Sequence, residues 1–138
     1  MEKVEKWEDI KNYKGLYQIS DFGRIRSVDH YASNGKGQML YKGKIKCPQA
    51  NKRNNYLSVI LSKNNKEKRV YIHRLVAEAF IKKVEGKNEV NHIDGNKHNN
   101  VVENLEWVTS QENKEHAYKL GLYDTEKFRH RKRGKAWI

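Results

Sequence analysis

Residues 89 to 117 concentrate groups able to bind a metal ion and move a proton. Asn91 and His92 sit between Val90 and Ile93, followed by Asp94-Gly95-Asn96-Lys97-His98-Asn99-Asn100. Asn104 then precedes Leu105-Glu106-Trp107-Val108-Thr109, and Asn113 and His116 fall in a helix-like run. Phosphodiester hydrolysis needs a base for the attacking water and a divalent cation for the charge on the phosphate and leaving oxygen. Imidazole suits the first task. Oxygen donors suit Mg²⁺, which keeps several waters and needs only one or two protein groups. An Asn beside a histidine on a strand, faced by another Asn on a helix, meets both needs. The plainer reading is an Asn-rich loop between two strands, because Asn and Asp favour turns.

These residues need a frame. Val90 and Ile93 flank the Asn91-His92 pair and predict a short strand with one anchored side; Leu105, Trp107 and Val108 predict the return strand, with a turn at Asp94-Gly95-Asn96. Thr109 with Glu112 forms a capping box, and Gly121 follows Leu120 as a stop, so the next helix presents Asn113, His116, Ala117 and Leu120 on one face. Upstream, Tyr56 to Ser62 and Lys68 to Ile72 read as a hairpin turning at Lys63 to Lys66. The spacing of Leu75, Val76, Ala79 and Phe80 predicts an amphipathic helix over 73–82 that packs on it, with His73 at its start in a polar, hydrogen-bonded setting. Nearer the N-terminus, Tyr17 to Ser20 alternates, Asp21-Phe22-Gly23 turns, and Arg24 to Val28 puts Arg24 and Arg26 on one strand face, either solvated or facing DNA. Tyr31 to Lys46 reads as a loop or loose hairpin whose Lys36, Lys42, Lys44 and Lys46 are placed to follow a phosphate backbone.

The totals choose among partners. The chain has 138 residues and a net charge of +12 with only 36% hydrophobic residues, which points to nucleic acid and a modest core. No apolar run has the length of a membrane span or a secretory signal, so no membrane contact and a cytoplasmic location, that of the host cell if phage-encoded, are expected. Cys47 is the single cysteine, which excludes an internal disulfide and a multi-cysteine zinc site. From Asp124 onward the pattern becomes a basic tail with Arg129, Arg131, Lys132 and Arg133, expected to order only on nucleic acid.

The Asn91-His92 pair, Asn104 and Asn113, within Asp94 to Asn100 and Asn104 to Thr109, resemble the HNH endonuclease motif of the ββα-metal (His-Me finger) fold. They are closest to phage and intron-associated enzymes, including homing endonucleases. The entry His73-Arg74-Leu75-Val76-Ala77-Glu78-Ala79-Phe80 resembles the segment before that motif, and Trp7 to Ile10 with Gly15 to Ser27 resembles the accompanying NUMOD4 module. The resemblance implies an α+β chain: an N-terminal antiparallel β-rich DNA-binding module (1–70), an HNH core (71–121) and a basic tail (122–138). It implies His92 as general base, Asn91 and Asn113 as ligands of one divalent ion, Mg²⁺ or Mn²⁺, and Asn104 as the brace of the loop. His116 would steady the phosphate or leaving group, or cap the rim. Double-stranded DNA is the implied partner, contacted by Arg24, Arg26, Lys44, Lys46, Arg74 and the tail, with a monomer nicking one strand and a dimer able to break both. Asn at both ligand positions departs from the usual pattern by removing a carboxylate, which makes a catalytically weak DNA-binding protein the alternative; an RNA-binding module is a third reading.

Overall fold

The computed structural model of the chain describes residues 3–121, so the basic tail with Arg129, Arg131, Lys132 and Arg133 lies outside the described residues. The fold is α+β, with ten short strands in small antiparallel sheets and two helices among the described residues. Strands β1 (Trp7–Asp9), β2 (Tyr17–Ser20) and β3 (Ile25–Ser27) form the first sheet, in that order. The Lys-rich connector forms a hairpin, β4 (His30–Ser33) against β5 (Gln38–Tyr41). Strands β6 (Gln49–Ala50), β7 (Leu57–Lys63) and β8 (Lys66–Tyr71) make a third sheet. Its β7–β8 turn lies at Asn64 and Asn65, both in the left-handed region that Asn tolerates.

Helix α1 (Ile72–Phe80) is the hub. Its apolar stripe packs against β2, β7, β8, β9 (Glu89–His92) and β10 (Leu105–Val108). Ile19 and Ile25 from the first sheet, Leu61 from β7, and Ile72 and Val76 from α1 are 0–2% exposed and share one cluster with Val90, Leu105 and Trp107. The N-terminal and central segments are therefore joined by a continuous core.

The last unit is β9, a 3₁₀ turn at Val102–Asn104, β10 and α2 (Ser110–Lys119). Helix α2 begins where the capping box places it: the Glu112 N–H donates to Thr109 Oγ1 at 3.1 Å and the Thr109 N–H to Glu112 Oε1 at 3.0 Å. No residue of α2 is fully buried, so it is a face laid over β9 and β10 rather than a core element. No helix among the described residues is long and apolar enough to cross a membrane.

Candidate active site

Strand β9 sorts its residues by period two: Glu89 and Asn91 share one face, and Val90 and His92 share the other. The anchored side therefore carries Val90 and His92, at 4% exposure each, rather than Ile93, which is 41% exposed beyond the strand end. In the antiparallel register Glu106 stands opposite Asn91 and Leu105 opposite His92. Asn91 Nδ2 donates to Glu106 Oε1 at 2.9 Å, and Asn113 Nδ2, from α2, donates to Glu89 Oε1 at 3.1 Å. A carboxylate can only accept, so each amide turns its nitrogen to the acid and keeps Oδ1 as its remaining donor atom for a cation.

Asn104 holds the loop between the strands. Its Oδ1 accepts the Asp94 N–H at 3.0 Å, and its Nδ2 donates to Asp94 Oδ1 at 2.9 Å and to the Asn99 carbonyl at 2.8 Å. The Asn104 carbonyl in turn accepts the Ile93 N–H at 2.8 Å. His92 depends on the same loop: its Nε2 is 2.7 Å from Asn100 Oδ1. With that oxygen as acceptor, Nε2 carries the proton and Nδ1 the lone pair, which is the tautomer a base requires. Burial lowers the His92 pKa below its ordinary value, opposed by the Asn100 bond and the Asp94 charge.

Rings close the back of the site. Tyr56 stacks on His73 with centroids 4.6 Å apart and on His92 at 5.8 Å, while His73 lies 5.1 Å from His92. His73 is not in the polar, hydrogen-bonded setting that its place at the helix start predicts. It is 7% exposed, and its Nδ1 is buried without a hydrogen-bond partner. Burial, reinforced by charge on His92, Arg74 and Lys97, holds its pKa at about 3. This folded value lies below the ordinary histidine value of 6.5, so an unfolded chain takes up the proton first. The stability contribution is complete above pH 6.5 and is lost as the pH falls towards 3. Acidification from there to about pH 4.5 should remove about 2 kcal/mol through this residue. Thermal melts of wild type and His73→Phe at neutral pH and about pH 4.5 check this: the variant should lose less Tm on acidification, and equal losses would refute the assignment.

An open cleft of about 590 Å³ gathers Asn91, His92, Asn113 and His116, with Glu89 at its wall. Asn104 lies outside the lining, beneath the loop it holds. His116 Nε2 is 2.8 Å from the Ile93 carbonyl, to which it donates, tying α2 to the end of β9. The basic residues lining the cleft are Lys97 and Lys114, neither marked by any pattern in the sequence. Lys97 Nζ donates to the Asn54 carbonyl at 2.8 Å and sits 4.7 Å from the centre of the Tyr56 ring.

The other sequence-derived cations lie away from this cleft. Arg24 pairs with Glu5, and Arg26 donates twice to Gln18 Oε1, at 2.9 and 2.7 Å, while lying 4.0 Å over the Trp7 ring. Arg74 donates to the Asn88 carbonyl at 3.0 Å and borders a second cleft of about 780 Å³ with Trp107. Lys46 lies 5.5 Å from the Tyr17 ring, and Lys44 is exposed, its backbone hydrogen-bonded to Ser27. Glu89 was findable from the sequence, two residues before Asn91 on a strand. Glu106 and Asn100 were not, since their roles depend on register and on how the loop folds back. Among the described residues no three His, Cys, Asp or Glu side chains cluster as a metal site.

Two adjacent strands, a polar loop and a covering helix around a buried histidine and two Asn oxygens define a ββα nuclease-type unit. Residues 70–115 match the family described as HNH endonuclease, and residues 5–62 match the NUMOD4 motif. The chain belongs to the HNH endonuclease family, with the NUMOD4 motif on its N-terminal side. It is 36% identical over 121 residues to DNA endonuclease I-HmuI of Bacillus phage SP01, covering 88% of this chain and 62% of that protein. It is 40% identical over 119 residues to the uncharacterized HNH endonuclease L245 of Acanthamoeba polyphaga mimivirus, covering 86% of this chain and 32% of the relative. A solved structure titled "DNA binding and cleavage by the HNH homing endonuclease I-HmuI" superposes with a TM-score of 0.72 at 36% identity, covering 91% of this chain and 64% of that one. The chain thus spans less than two thirds of the length of these relatives.

Proposed function

We propose that the protein is a metal-dependent endonuclease that nicks double-stranded DNA, with His92 as general base. The observation that carries this is the His92 Nε2 to Asn100 Oδ1 bond of 2.7 Å, which leaves Nδ1 as proton acceptor in the cleft that Asn91 and Asn113 also line. The donor set fits one hard divalent ion, because the Asn91 and Asn113 amides commit their nitrogens to Glu106 and Glu89 and keep their oxygens. When bound, Mg²⁺ or Mn²⁺ supplies positive charge against the phosphate and the departing 3′ oxygen. His92 takes the proton of the attacking water at Nδ1 while Asn100 keeps Nε2–H in place. Its depressed basicity keeps the imidazole neutral before attack. Lys97 and Lys114 draw the phosphate backbone to the cleft, and His116 holds the rim through Ile93. The ligand pair has no carboxylate of its own, but Glu89 and Glu106 place two negative charges directly behind it.

The test is conversion of supercoiled plasmid to open circles with Mg²⁺ or Mn²⁺, abolished by EDTA, together with duplex-DNA binding measured at stated salt against single-stranded RNA. Retained duplex binding with unconverted plasmid under both ions would establish the alternative, a non-cleaving DNA-binding protein of this fold. Stronger binding to RNA would replace the substrate class. The supporting acids have their own expected result: Glu106→Ala should weaken Mn²⁺ affinity about 10-fold or more, as loss of an outer-sphere partner does. Glu106→Gln, which keeps an oxygen acceptor, should lose less. Titration of free Mn²⁺ by electron paramagnetic resonance reads both, and an unchanged affinity in Glu106→Ala would remove Glu106 from the site.

A further inference from the structure

The N-terminal segment meets the proposed base at one point. Asn100, the partner of His92, is 5% exposed and sits against Gly23 in the turn between β2 and β3. A methyl group at Gly23 would stand 2.8 Å from Asn100 Cβ, 2.8 Å from its carbonyl oxygen and 3.0 Å from its carbonyl carbon. No real side-chain carbon tolerates such distances, so only glycine lets the two backbones approach this closely. The turn is held on both sides. Fully buried Ser20 accepts the Phe22 and Arg24 N–H groups at its Oγ, at 3.2 and 3.1 Å, and Asp21 exchanges hydrogen bonds with the Lys6 backbone at 3.0 and 2.9 Å. It then reaches across to the loop: the Asp21 carbonyl accepts the Val102 N–H at 2.9 Å.

We infer that the Asp21-Phe22-Gly23 turn of the NUMOD4 segment is a positioning element of the nuclease site, seating Asn100 so that its side chain holds His92. The turn meets Asn100 itself at Gly23 and ties the loop two residues further on through the Asp21–Val102 bond. The Asn100 backbone cannot drift without breaking the bond or colliding with the turn. Asn100 is eight residues from His92 in the chain, in a loop with no regular structure of its own; Asn104 holds the peptide unit before it through the Asn99 carbonyl, and the turn holds it from Gly23 and through Val102 beyond it. The N-terminal segment thus completes the site from outside the ββα unit. This inference rests on the reading of His92 as the base.

The test compares Gly23→Ala with Gly15→Ala. Both glycines have left-handed φ, +84° and +80°, so alanine strains both turns alike, but a Cβ at Gly15 meets nothing within 4 Å. Gly23→Ala should lower kcat for plasmid nicking about 10²-fold, the scale of an ångström-sized misplacement. Duplex affinity and Gly15→Ala activity should stay near wild type. In an Asn100→Ala background, Gly23→Ala should add little further loss, because the two act through one side chain. Imidazole ¹⁵N NMR gives a readout independent of cleavage: His92 should hold its proton at Nε2 in wild type and Gly15→Ala, and become a tautomer mixture in Gly23→Ala. Should Gly23→Ala fail to fold by circular dichroism, Gly23→Asn carries the same Cβ with a side chain that accepts positive φ. Equal losses in both alanine variants, full additivity with Asn100→Ala, or an unchanged His92 tautomer would each overturn the inference. A wild type that fails to nick, with His92 still turning into a tautomer mixture in Gly23→Ala, would retire the base role of His92 and leave the Gly23 contact standing.

Discussion

His92→Ala is expected to slow plasmid nicking by about 10²–10⁴-fold, the range a positioned general base contributes, with duplex binding unchanged. The expectation follows from what surrounds the ring. His92 is 4% exposed, its Nε2 is taken by Asn100, and Tyr56 and His73 stack behind it. No water can reproduce Nδ1 at the same point, since a water in the alanine cavity would be held by Asn100 alone. The neighbouring histidines do not substitute. His73 is further back, with a pKa of about 3, and His116 has its Nε2 on the Ile93 carbonyl. Imidazole added to the buffer should restore part of the lost rate, because the cavity has the shape of that ring. First-order decay of the supercoiled band measures both effects. A loss below tenfold, or full retention of activity, would mean that the attacking water is activated elsewhere.

The frame of this site was legible because local chemistry and tertiary structure agree on it. Thr109 and Glu112 start α2 at the residue where the capping box appears, and the apolar alternation of Leu105, Trp107 and Val108 gives β10 and its buried face. Arg24 and Arg26 show where such reading ends. Period two puts them on one strand face, but Glu5 and Trp7 arrive through the three-residue edge strand β1 and the chain before it, which carry no alternation of their own, and Gln18 meets Arg26 only through the register of β2 with β3. His73 fails for a related reason: a histidine at a helix start is ordinarily in a polar, hydrogen-bonded setting, and only the packing of Tyr56 and His92 over it makes it a buried ring whose Nδ1 has no partner. Glu106 needs the register of β9 with β10, and Asn100 needs both the loop path and the Gly23 turn. The side chains named in advance are those whose role a short segment decides. The missed ones support them from elsewhere in the chain.

Asn104→Ala should destabilise the protein by about 2–4 kcal/mol, from two backbone groups left without partners and the loss of a buried amide. The Asp94 N–H and the Asn99 carbonyl both lose their bonds to the 8% exposed Asn104 side chain. The Asp94 carboxylate adds little to the sum, because it is exposed and water replaces the Asn104 amide. For a domain of this size the Tm should fall by about 6–14 °C. Asn99→Ala is the control: its Nδ2 bond to Asp94 Oδ2, at 2.9 Å, is exposed, and its loss should stay within about 0.5 kcal/mol. Activity should fall below the Tm as well, since the loop that loosens carries Asn100 to His92. Hydrogen exchange separates the two consequences. The Ile93 N–H, bonded to the Asn104 carbonyl at 2.8 Å, should exchange faster in Asn104→Ala, while the capping-box N–H of Glu112 in α2 should not. Equal Tm values for Asn104→Ala and Asn99→Ala would show that the loop is held by its backbone bonds and that Asn104 is not its brace.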